Sequence, residues 1–358
     1  MLKTIKTAIL GQGRSGRGIH AKWLVKNLYD KFRIDAVIEP LEERRERAEK
    51  EFGCKTFEDY HHILDRKDLD LVINTTPSHL HFPITLDLIN AGFNVICEKP
   101  LAGKVEEVDK LIKASKKSGK LFTIFQQSRY APYFIQVKNV IDSGVLGRIV
   151  QISIAFNSVA RRWDWQCIQD YNGGSLLNTG PHPLDQALQL LETDEIPEVK
   201  CVMDRVNTSG DAEDYVKLIL QVPGRPVIDL EISSCCAYPN FTYNVQGSNG
   251  GLQGSTTHID WKYFKPEEAG SHELVRRPLT DADGNPVYCS EQLKWYSESW
   301  DVPENQKNLF ETITTEYYRM IYRVLAEGAP LEITPEQVRR QIAVIEECHR
   351  QNPLSKLY

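Results

Sequence analysis

Two periodicities alternate through the first third of the chain, and that alternation restricts the fold more than any other feature. Apolar runs that suit strands, "TAILG" (7–11), "IDAVIE" (34–39), "LDLVINTT" (69–76), "NVICE" (94–98) and "LFTIFQ" (121–126), are separated by stretches that suit helices at 14–28, 42–52, 81–91 and 105–118. In the third helical stretch Ile84, Leu88 and Ala91 recur at helical spacing before Gly92 ends it. Strands that are apolar throughout are buried on both faces, so the helices between them must cover a parallel sheet on both sides. Residues 1–127 are therefore expected to form a doubly wound α/β domain.

The texture changes after Gly147. "RIVQISIAFN", "VKCVMDRVN", "YVKLILQV", "RPVIDLEIS" and "FTYNVQGS" alternate apolar and polar residues, as strands do when one face is buried. Pro223-Gly224, Pro239-Asn240 and Asn249-Gly250-Gly251 supply the turns. A helix is expected at 176–191, and two more at about 304–327 and 336–351; Gly328 stops the first of these, and Thr334-Pro335-Glu336 caps the second. Residues 128–358 thus read as an open, largely antiparallel sheet with helices on one face, the final helices being free to pack back on the first domain. The length of 358 residues agrees with two cores rather than one.

A formal net charge of −6 and the lack of a long basic run give no electrostatic footprint for nucleic acid. The apolar run near the N-terminus is too short for a signal peptide or membrane anchor, so a cytoplasmic protein with no membrane contact is expected. The eight cysteines are scattered, with only Cys235 and Cys236 adjacent and no C-x-x-C, and read as reduced, mostly buried apolar residues.

Gly11-Gln12-Gly13-Arg14-Ser15-Gly16 is a G-x-G-x-x-G run between a strand and a helix. In that setting the first glycine permits a tight turn, the second lets backbone approach a pyrophosphate, and the third allows close helix–strand packing. Glu39 ends the next strand at the distance expected of an acid that binds the ribose diol. A carboxylate there repels a 2′-phosphate, so NAD is expected rather than NADP. Arg44 and Arg45 could soften that preference, although Glu42, Glu43 and Glu46 around them suit surface ion pairs better. Thr75, Thr76 and Pro77 would lie at the carboxyl edge of the sheet, where ligands bind in open α/β folds. His79 and His81, spaced like metal ligands, have no third ligand near them and read as a helix start or as cofactor contacts, so no metal is expected. The strand carrying "VICEKPLAGK" delivers Glu98, Lys99 and Pro100 to the same edge, and Gln127 follows the last strand. A lysine so placed can stabilise negative charge on a substrate oxygen during hydride removal.

With these motifs in place the chain resembles the glucose–fructose oxidoreductase, inositol dehydrogenase and rhizopine-catabolism (Gfo/Idh/MocA) family along essentially its whole length. The resemblance rests on the glycine loop, "TTPSHLH", "AGFNVICEKPL", "GVLGRI", "GGSLLNTGPHPLDQAL" and "VQGSNGGLQ". It implies a two-domain, Rossmann-type NAD(P)-dependent dehydrogenase of sugars, cyclitols or glycosides, in which Lys99 and His182 flank the reacting carbon. Such relatives also include enzymes that cleave glycosides through transient oxidation with retained NAD, and regulators without catalysis.

One position departs from that family. Where its sugar dehydrogenases read G-G-x-x-x-D-x-G-x-H, this chain has Asn178 in place of the aspartate, four residues before His182. An asparagine can position a neighbour but cannot take a proton. His182 is then left as the base, with a pKa expected near neutral, while Asp185 either orients it or makes a structural bond. The loop "ARRWDWQ" carries Arg161, Trp163, Asp164 and Trp165, which suit a pyranose ring better than an interface or core loop; Arg129 and Tyr130 occupy the crossing between domains and are expected to contact cofactor or substrate, as Asp185 is expected to contact substrate. The second sheet is expected to present an uncovered apolar face to a second subunit, giving a dimer or tetramer.

Overall fold

The computed structural model describes residues 3–357. Its first sheet is made of β1 (Ile5–Leu10), β2 (Phe32–Ile38), β3 (Lys55–Phe57), β4 (Leu71–Asn74), β5 (Val95–Cys97) and β6 (Phe122–Ile124), all parallel, in the order β3-β2-β1-β4-β5-β6. The order reverses between β1 and β4, and there the loops after the two strands diverge and open a crevice. The run expected as one helix at 14–28 is instead a π-helical segment, Arg14–Ala21, followed by α1 (Lys22–Asn27). Three further helices, α2 (Glu42–Phe52), α3 (His81–Asn90) and α4 (Val105–Ser118), fall where periodicity put them.

A helix unread in the sequence, α5 (Pro132–Asp142), leads to the second domain. Proline in its first turn and buried Phe134, Val137 and Val140 at helical spacing were the available signals. Then come β7 (Ile149–Asn157), α6 (Ser175–Asn178), α7 (Pro181–Leu190), β8 (Glu198–Asp204), β9 (Tyr215–Gln221), β10 (Val227–Ser233), β11 (Tyr243–Gly247), β12 (Gly250–Gly254), β13 (His258–Phe264) and β14 (Trp295–Asp301). The eight strands pair in the order β14-β13-β12-β11-β7-β10-β9-β8, antiparallel except for β7 against β10. The helix expected at 176–191 is broken into two because Pro181 cannot continue a helix that begins before it.

Helices cover one face of this sheet, where Ile152, Ile154, Leu218, Leu220, Ile228 and Leu230 are buried. The open face differs from expectation. It carries Gln151, Ser153 and Asn157 beside Lys217, which lies 2.5 Å from Asp229 and 3.4 Å from Glu231. That face is mixed, with Ile149, Val202, Ile219 and Val227 among its polar residues, so association through it would combine hydrogen bonds and ion pairs with apolar burial.

The chain ends with α8 (Leu309–Glu327) and α9 (Pro335–Gln351). Tyr317, Tyr318 and Ile321 of α8 pack with Ile5, Ile9, Phe32 and Ile96 on one face of the first sheet. Thr123 Oγ1 donates to Ile333 O at 2.7 Å, and Tyr317 Oη donates to Ile124 O at 2.9 Å. The final helices therefore complete the first domain and lock it to the second. All eight cysteines are free thiols. Among the described residues no helix is long and apolar enough to cross a membrane.

Candidate active site

The ends of β1, β2, β4 and β5 face the second domain across a cleft of about 960 Å³. Gly11 holds φ +93°, and a β-carbon on it would sit 2.9 Å from Thr75 Oγ1; one on Gly16 would sit 2.0 Å from Gly11 O. These two glycines are required by packing. A β-carbon at Gly13 would meet no protein atom within 4 Å, and no side chain caps the start of the segment at Arg14. Gly13, Arg14 and Ser15 thus offer backbone N–H groups to the cleft, which fits a pyrophosphate. The Gln12 side chain instead turns back to Gly11 O, 3.0 Å away.

Glu39 is buried at the cleft wall. Its carboxylate accepts from Gln12 N at 2.8 Å and Leu41 N at 3.2 Å, and Arg44 stands 3.7 Å away. It therefore both braces the glycine loop and lines the cleft. Arg45 is drawn away to the carbonyls of Glu39 and Pro40. Arg44, by contrast, lines the cleft.

Thr75 closes β4 onto β1 through N and Oγ1, both donating to Leu10 O, and Thr76 folds onto Asn74 Oδ1. Thr76 and Pro77 line the cleft. The two histidines that follow do different things. His79 packs edge-on against Tyr171. His81 is buried, with ring nitrogens 2.6 Å from Pro100 O and 2.7 Å from Thr76 O, so it pins the turn after β4 to the segment after β5. Among the described residues no group of three or more His, Cys, Asp or Glu is arranged to hold a metal ion.

That pinned segment contains the cis Lys99-Pro100 bond and aims Lys99 across the cleft. Burial alone would push the Glu98 carboxyl up, but the hydrogen bond with His20 Nε2 at 3.1 Å and the nearby Lys99 and His81 outweigh it and hold the group down to about 2. Lys99 Nζ donates to Asn178 O at 2.6 Å and lies 3.3 Å from Asn178 Oδ1. Two of its three N–H groups are thus committed and one remains for a ligand. Burial lowers its pKa from the ordinary lysine value; Glu98 opposes that, and Arg14 and Arg162 press it lower.

Asn178 therefore positions Lys99 rather than His182. His182 Nδ1 meets Ser128 Oγ at 3.1 Å, and the ring lines the cleft. Burial, reinforced by Lys99, pushes its pKa down to about 3, well below the near-neutral value expected from its residue type. Asp185 does not orient it. That carboxylate is paired with Arg129, with Oδ1 2.5 Å from Nη2 and Oδ2 2.9 Å from Nε. Arg129 Nη1 also donates to Glu332 O and Gln337 Oε1. Asp185 and Arg129 thus form a buried staple between domains, off the cleft wall, and Tyr130 bonds Glu332 beside them. Gln127 does line the cleft.

Of the loop 160–166, Asp164 and Trp165 reach the cleft, Arg161 lines an adjoining cavity, and Trp163 is 82% exposed and turned to solvent. Arg162, Gln166, Ser128 and His20 were not singled out from the sequence. Arg162 belongs to the arginine-rich loop already noted; for Ser128 and Gln166 no local signal exists.

A glycine loop at a sheet switch point, beside a lysine from the same sheet and facing a histidine held by a second sheet domain, defines a dinucleotide-binding oxidoreductase of two domains. The chain belongs to the GFO/IDH/MocA oxidoreductase family: the model described as "Oxidoreductase family, NAD-binding Rossmann fold" matches residues 5–126, and the "GFO/IDH/MocA C-terminal domain" matches 134–253. It is 27% identical to scyllo-inositol 2-dehydrogenase (NADP(+)) IolW of Bacillus subtilis, over 96% of this chain and 92% of that one. It is 26% identical to 2,7-anhydro-N-acetylneuraminate hydratase of Mediterraneibacter gnavus, over 80% of each chain. An oxidoreductase of Thermotoga maritima shares the fold with a TM-score of 0.78 at 24% identity, over 97% of this chain and 96% of that one.

Proposed function

We propose that the protein oxidises a secondary ring hydroxyl of a sugar, cyclitol or glycoside, with NAD as the oxidant. The observation that carries this reading is the free N–H of Lys99 facing the same cleft as His182 and the glycine loop. Gly13, Arg14, Ser15 and Glu39 would hold NAD, which would supply the hydride acceptor for the carbinol carbon. Lys99 donates to the substrate oxygen and lowers the cost of negative charge on it. His182 is neutral at any working pH, its Nδ1 engaged with the rotatable Ser128 hydroxyl, and its other nitrogen takes the hydroxyl proton as the carbonyl forms. The products are a ketone, the reduced cofactor and a proton, which His182 passes on to water because its pKa lies far below working pH. Glu39 supports NAD over NADP; Arg44, 3.7 Å from it and on the cleft wall, is the residue through which a 2′-phosphate would be tolerated. NADH absorbance with a panel of inositols, hexoses and glycosides tests the proposal: turnover that needs Lys99 supports it, and a panel without turnover opposes it.

A second reading is favoured by the relative named as a hydratase, at 26% identity. The same groups would oxidise the ring transiently and return the hydride after elimination. Product would then form without accumulation of NADH.

A further inference from the structure

The cleft does not end at Lys99. Beyond Asn178, Gln166 and Arg162, which it shares with the cleft, a second cavity of about 240 Å³ runs toward the end of the second sheet. Arg161 lines it and makes no hydrogen bond or ion pair among the described residues, while Arg162 has only the half-exposed Asp164, 3.1 Å away. The hydroxyls of Ser158, Ser175, Thr179 and Ser234 also face this cavity without a hydrogen-bond partner in the described chain. Two carboxylates on the wall do not answer the arginines. Glu213 accepts Leu176 N at 2.9 Å, and Asp214 accepts Val206 N and Asn207 N, each at 2.7 Å.

We propose that this cavity is a carboxylate subsite, and that the substrate is a sugar acid whose carboxylate pairs with Arg161 while its ring lies between Lys99 and His182. The proposal rests on the dehydrogenase reading above and adds the substrate's charge to it. Arg161 is exposed, so a neutral sugar seated against this wall would take water from its guanidinium and return no charge to it. A carboxylate matches the planar fork of an arginine and still accepts from the free hydroxyls. Glu213 and Asp214 set the limit on charge: they repel a phosphate dianion more than a carboxylate, so the site suits a single negative charge.

The test compares kcat/KM, by NADH formation, for D-glucuronate against D-glucose, D-galacturonate against D-galactose, and D-glucose 6-phosphate. The acids should exceed their neutral partners by about tenfold or more, the scale of one charge-assisted contact. Arg161→Gln should lower that acid-to-neutral ratio by about tenfold, and Arg161→Lys should restore part of it. Neutral sugars equal to or better than the acids, a ratio indifferent to Arg161, or a preference for the phosphate would each overturn the subsite while leaving the dehydrogenase reading intact. If no compound reduces NAD, the dehydrogenase reading fails and the subsite is judged by binding alone. Saturation-transfer NMR of D-glucuronate with NADH-loaded protein should then show a signal that Arg161→Gln removes; no signal with the unaltered protein overturns the proposal.

Discussion

Replacing Asn178 by aspartate should move the alkaline limb of the pH–rate profile upward. In the structure Asn178 Oδ1 is 3.3 Å from Lys99 Nζ and belongs to a neutral amide. A carboxylate oxygen at that distance would attract the ammonium by about 5 kcal/mol at an effective dielectric of about 20. Water in the cleft and the hydrogen bonds already made reduce the effect, so the Lys99 pKa should rise by roughly one to three pH units. The sign follows from the role of Lys99: it stabilises charge only while protonated, so activity is lost as pH rises through its pKa. That pKa is depressed here, chiefly by burial and further by Arg14 and Arg162, and the added carboxylate opposes the depression.

The acid side provides a second check. His182 is held down to about 3, so it stays neutral wherever the enzyme would be assayed, and no acid limb should appear in the usual histidine range. The assay is kcat/KM against pH for the unaltered protein and Asn178→Asp, over the ordinary histidine and lysine ranges of about pH 5 to pH 11, with a sugar that is turned over. An alkaline limb that stays put or moves down in the variant would refute the assignment of Lys99 as the group tuned by Asn178. An inflection near pH 6.5 in the unaltered protein that His182→Ala abolishes would show that the histidine titrates normally.

Three further outcomes follow from the same geometry. Lys99→Ala should lower kcat by about a hundredfold or more with NAD affinity nearly unchanged by calorimetry; lost NAD binding with normal turnover would make Lys99 a cofactor residue instead. NAD should bind more tightly than NADP, and Glu39→Ala should narrow the difference, because Arg44 then faces the phosphate without a competing carboxylate; equal or tighter NADP binding to the unaltered protein contradicts this. Arg129→Ala should cost about 3–5 kcal/mol in urea unfolding, since it strands the buried Asp185 charge; a loss under about 1 kcal/mol would mean that water reaches the pair.

What the sequence disclosed and what it hid divide along the range of the interactions involved. Five strands of the first sheet were legible because their signal is local, a largely apolar run, and the helices between carry their own stops, as Gly53 and Gly119 do at their left-handed caps; the short edge strand β3, "KTF", was missed because it has no apolar run and pairs only with β2. β12 was missed because "GGLQG" has little strand propensity and is held by β11 and β13 on either side. β14 lies beyond a long exposed excursion from β13 and pairs only through it. The site shows the same division. The glycine loop, Glu39, Lys99 and His182 announce themselves by motif. The pairings of the cleft side chains do not, because each partner comes from elsewhere in the chain: Asn178, although singled out by motif, for Lys99, Ser128 for His182, and His20 for Glu98.

The pairing of Lys99 with Asn178 also ties the chemistry to the joint between domains. Lys99 ends a strand of the first sheet, whereas Asn178 and His182 sit on α6 and α7 of the second domain. Their relative position depends on contacts that cross the joint: Gln126 Nε2 and Gln341 Nε2 both donate to Pro181 O, and Arg129 clasps Asp185 three residues after His182. Pro181 directly precedes His182, so the carbonyl that receives those two bonds fixes the start of the helix that carries His182. The bonds come from the end of β6 and from α9, the last helix of the chain. The C-terminal segment that completes the first domain is therefore also the brace that sets the distance between His182 and Lys99, which accounts for polar residues as costly to bury as Gln126 and Gln341 lying so far from solvent.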